Sequence, residues 1–118
     1  MRINFDELGK MEPKKFAELL VYYYGRGLLL DMLKIIVEKL GFAKIAKAAG
    51  VAKSTIANAI YRGSIKEENL RKIVEGLLIV YPEEMRRAHD IVMVKLQKKY
   101  GNVIIEEELK KLEKIAIS

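Results

Sequence analysis

Six cations and no carboxylate occupy positions 39 to 66: Lys39, Lys44, Lys47, Lys53, Arg62 and Lys66, bracketed by Glu38 and Glu67. Elsewhere an acid is never far away along the chain. An ordinary solvated surface mixes both signs, whereas a surface that meets phosphates excludes carboxylates. The chemistry on offer is anion binding. Asn58 adds a second kind, because its amide carries an acceptor and a donor side by side and matches adenine N6 and N7. The competing reading of Asn58 is an ordinary exposed helix amide. Lys53 is expected to reach a guanine or a phosphate.

Other chemistries find little support. His89 is the only histidine and cysteine is absent, which excludes disulfides, thiolate metal sites and a structural zinc. No glycine-rich phosphate loop occurs, and the basic region holds no carboxylate to act as acid or base. We therefore expect no enzymatic activity and no cofactor. Glu106 to Glu108 read as a solvated helix start favoured by the macrodipole rather than as a hard-metal site. Tyr22 to Tyr24 cannot form one stacking platform, because consecutive helix residues point about 100° apart. One or two of them are expected to pack into the core or a partner. His89, alone on a charged helix, reads as a surface or interface residue.

These residues need elements to hold them. The 118 residues are typical of one domain, and a 51% hydrophobic content is enough for a core. Strict period-two alternation is absent, and both prolines, Pro13 and Pro82, suit first-turn helix positions. We expect an all-α compact bundle of six to seven helices over 1–118. The helices are read at 13–24, 28–40, 43–49, 53–61, from 64 onward, 82–100 and 104–116. The fifth is expected to open on a capping box, Ser64 with Glu67. Gly76 inside it reads as a mild weakness. Gly41, followed by Phe42, reads as a left-handed helix stop. In the seventh, Ile105, Leu109, Leu112 and Ala116 are heptad-like, though too few to specify a coiled coil.

Between the third and fourth helices lies "IAKAAGVAKSTIANAI". Two short helices meeting at a sharp angle need a small residue on the first, and Ala46 fits. Their turn needs a left-handed residue, which Gly50 supplies without a Cβ clash. Ile45, Ala49, Val51 and Ile56 sit where the wedge between them must be filled. This pattern resembles the helix-turn-helix of the lambda-repressor and Cro-like family, over about residues 28–81. The resemblance implies that the second helix enters the major groove of double-stranded DNA. It places Lys53, Ser54, Ala57, Asn58 and Tyr61 on the exposed side and Lys44 and Lys47 near phosphates; Thr55 and Arg62 are also expected among the DNA-binding residues. Ala52 departs from the family pattern, which puts a capping Ser or Thr there.

The expected function is thus sequence-specific DNA binding, as in a transcriptional regulator. Two alternatives are a protein-interaction module (an antitoxin or adaptor) and an accessory domain of a DNA-processing enzyme. An ordinary helical hairpin is the plainest competitor. Residues 82–118 are expected to support a homodimer, since the run Ile91 to Val94 is apolar nearly all round. The alternative is that the seventh helix covers that run. Arg26, Asp31 and Lys34 interrupt the longest apolar stretch, so a membrane span is not expected. The N-terminus shows no signal-peptide pattern, which fits a cytoplasmic protein. One Gln, four Asn and no Cys, with abundant Lys, Glu and Ile, suggest a thermophilic source.

Overall fold

A computed structural model of the chain describes residues 10–100. The expected helix at 104–116 and the Glu106 to Glu108 cluster lie outside the described residues. Within them the fold is all-helical: α1 (Pro13–Leu40), α2 (Phe42–Ala49), α3 (Lys53–Arg62), α4 (Glu67–Val80) and α5 (Pro82–Tyr100). Among the described residues, no helix is long and apolar enough to cross a membrane.

Both prolines stand where a missing amide hydrogen costs nothing, in the first turn of α1 and of α5. α1 spans the two helices expected at 13–24 and 28–40. They abut at Gly25, whose φ of 76° and ψ of 172° break the helical path without a loop. The break lets the two halves present separate apolar faces. Phe16 and Leu20 are buried from the first half, and Leu29, Met32, Leu33 and Ile36 from the second. α4 and α5 both pack on α1. Gly41 does not take the left-handed helical geometry expected of it. Its φ is positive, but its ψ of 167° is extended, which turns the chain sharply from α1 into α2.

The start of α4 also differs from expectation. No side-chain cap forms; the helix begins at Glu67, with Lys66 extended before it. Ile65 and Leu70 are both buried in the common core. They occupy the N′ and N4 positions, the spacing of a hydrophobic staple. Burial of Ile65 thus fixes the chain's approach, and Ser64 is left exposed outside the helix.

Gly76 is far from a weakness. An ideal Cβ built there would collide with the Ala48 carbonyl oxygen and lie 2.8 Å from Ala49 Cα. α4 and α2 therefore touch backbone to backbone at this point. Only a residue without a side chain permits it. This contact presses α2 onto the bundle and so sets where the basic stretch sits.

Candidate nucleic-acid interface

α2 is short and strongly two-sided. Ile45 and Ala46 are buried, while Lys44 and Lys47 are exposed. Its end is fixed by backbone hydrogen bonds. Gly50 adopts φ 68°, ψ 34°, and the Val51 amide donates to the Ala46 carbonyl at 3.1 Å. That pair of features is a Schellman stop, and half-buried Val51 supplies its usual apolar follower. The expected left-handed turn at Gly50 is present. α3 starts after extended Ala52 without a side-chain cap, and Gly63 closes it in the left-handed conformation.

Ile56 and Ala59 anchor α3, both with no exposed surface. Ile45 and Ile56 are fully buried, and each stabilises this arrangement by roughly 1.5–3 kcal/mol of apolar burial. Ala49 and Val51 are half-buried against the same core. The four residues expected to fill the wedge are thus in or against the core.

With those anchors inward, Lys53, Ser54, Asn58, Tyr61 and Arg62 are exposed. Thr55 and Ala57 are half-buried. The family pattern puts Ala57 on the exposed side; here it lies one residue beyond Ile56 and is drawn partly inward. Tyr61 is 75% exposed and its ring leans on Phe42, with centroids 6.0 Å apart and planes at 53°. Among the described residues, no ion pair holds Lys44, Lys47, Lys53, Arg62 or Lys66. Within the described residues their charges are uncompensated at short range. Lys39 differs: its ammonium lies 2.7 Å from Glu84 Oε1. The fold brings an acid from α5 to the edge of a stretch that is acid-free along the chain. Of the six cations, Lys39 is thus the least available to a phosphate.

His89 departs from the surface role read from its neighbours, for it is fully buried. Its Nε2 lies 2.7 Å from the Tyr24 hydroxyl, and its Nδ1 lies 3.4 Å from Asp90 Oδ1. A carboxylate only accepts, so a neutral ring places its hydrogen on Nδ1 and accepts the Tyr24 O–H at Nε2. The two rings also stack, 5.6 Å apart and 13° from parallel. This pair joins α5 to α1 beside the Gly25 break. Tyr24 meets the expectation of a packed tyrosine, whereas Tyr22 is 79% exposed.

The Ile91 to Val94 run is largely consumed within the chain. Val92 and Met93 are buried and Ile91 is half-buried, leaving Val94 partly exposed. α5 packs against α1 and α4, so described helices already cover much of it. The apolar character that suggests a subunit interface has an internal use.

No protein-family model, curated protein or solved structure matches this chain.

Proposed function

We propose that the chain binds double-stranded DNA, with α2, the Gly50 turn and α3 acting as a helix-turn-helix that lays α3 in the major groove. Sequence-specific binding of this kind suits a transcriptional regulator. The observation that carries the reading is electrostatic and positional. Lys44, Lys47, Lys53 and Arg62 are exposed on two consecutive helices, unpaired among the described residues, in a stretch of sequence without a carboxylate. Such a surface gains free energy by releasing the counterions condensed on DNA. An acidic protein partner lacks that dense counterion atmosphere, so salt dependence separates the two.

The test is a titration of a DNA duplex at several salt concentrations. If those four cations each neutralise one phosphate, the log–log slope is about −3.5 for one protomer and about −7 for two on paired half-sites. Binding that is unchanged from low to high salt refutes the reading.

A further inference from the structure

We propose that the second half of α3, Ala57 to Tyr61, reads A·T base pairs: an adenine through Asn58 and a thymine 5-methyl group through the Tyr61 ring. Phe42 acts as the residue that positions that ring. The inference rests on the DNA-docking reading above and names the base pairs that the surface accepts.

Ser54, Asn58 and Tyr61 are exposed at i, i+4 and i+7, which puts them on one stripe of α3. At 1.5 Å per residue the stripe runs about 10 Å, the span of about three stacked base pairs. Between Ser54 and Tyr61 the sequence holds no Arg, Lys, Asp, Glu or Gln. The common bidentate partner of guanine is Arg or Lys, and cytosine's amino group seeks a carboxylate. Neither lies between Ser54 and Tyr61; Lys53 and Arg62, which flank this span, are the cations assigned to phosphates above. What the stripe does offer is one carboxamide, whose acceptor and donor match adenine N6 and N7, and an apolar ring, which suits the thymine methyl. Ser54 hydrogen-bonds to any base and does not alter the choice. The Asn58 side chain has no hydrogen-bond partner among the described residues, so no internal contact must be broken before it reads.

Exposure alone would leave Tyr61 free to rotate. Phe42 restrains it, being half-buried against the core with its ring tilted on that of Tyr61. Tilted aromatic pairs of this separation attract one another beyond their apolar contact. The ring therefore meets the groove with less rotamer freedom to lose.

The experiment begins by selecting bound duplexes from a random pool with the full chain. The selected duplex is then titrated with uracil replacing thymine, which removes only the methyl, and with 7-deazaadenine replacing adenine, which removes only the N7 acceptor. In the native protein uracil should weaken binding about fourfold, the worth of one buried methyl-sized group. The deaza base should weaken it about tenfold. Tyr61→Ala should abolish the uracil effect, and Tyr61→Phe should retain it. Asn58→Ala should abolish the deaza effect alone. Phe42→Leu should shrink the uracil effect and leave the deaza effect intact, an outcome that general destabilisation cannot mimic. A selected site with G·C pairs throughout this stretch overturns the inference. Analogue penalties that persist unchanged in Tyr61→Ala and Asn58→Ala also overturn it, while salt-dependent duplex binding keeps the docking reading standing. Absence of any duplex binding overturns both.

Discussion

Gly76→Ala is a substitution that helix propensity and packing judge oppositely. An exposed helical glycine replaced by alanine gains about 1 kcal/mol of stability. At Gly76 the new Cβ would lie 2.8 Å from both the Ala48 carbonyl carbon and Ala49 Cα, where ordinary contact begins at 3.4 Å. All the colliding atoms belong to backbone, so no side chain can swing aside. α2 must retreat from α4 by more than half an ångström, and Ala49 and its buried neighbours Ile45 and Ala46 must move with it. Overpacking of this kind costs about 1–3 kcal/mol, and two rigid backbones place it near the upper end. Subtracting the propensity gain leaves a net loss of about 2 kcal/mol. For a chain of this length that lowers Tm by about 8 °C. Thermal unfolding followed by circular dichroism reads it directly. Gly27→Ala is the matched control, because Gly27 lies in α1 with nothing within 4 Å of its Cβ position. It should raise stability by up to about 1 kcal/mol. A Gly76→Ala protein as stable as the native one would refute the close α2–α4 approach.

Lys44→Ala and Lys47→Ala should each weaken binding to all duplex sequences alike, and reduce the salt slope by about one for each phosphate left unneutralised. A change of sequence preference in either variant would mean that the reading helix has been misassigned. Tyr24→Phe removes the hydroxyl that meets His89 and should cost about 1–2 kcal/mol in denaturant unfolding. A Tyr24→Phe protein with an unchanged midpoint would show that this hydrogen bond contributes nothing net. At the exposed Glu67–Arg71 pair, Glu67→Gln should change stability by less than about 0.5 kcal/mol, since surface i,i+4 pairs contribute little.

Much of what is governed by residues close together in the chain was legible in the sequence, the geometry at Gly41 and the start of α4 being the departures. Pro13 and Pro82 mark helix starts, Gly50 marks a left-handed stop, and Ile45 and Ile56 point inward as observed. These are matters of local sterics and of the 3.6-residue period, which operate over a few residues. The exposure of Lys44, Lys47, Lys53 and Asn58 follows from the same periodicity, because burying one stripe of a helix commits the opposite one to solvent.

The tertiary structure decided what depends on partners remote in sequence. His89 looks solvated among its charged neighbours, yet it is buried against a tyrosine 65 residues away. Lys39 belongs to an acid-free stretch, yet Glu84 meets it from α5. Ser64 and Glu67 have the spacing of a capping box, but the burial of Ile65 is worth more than a side-chain cap and moves the helix start. Gly76 carries no local signal of its purpose, because the atoms that exclude a Cβ there belong to Ala48 and Ala49 on another helix. Local rules see only the neighbours along the chain. Burial, charge neutralisation and backbone contact are set by whatever the packing of α1, α2, α4 and α5 brings alongside.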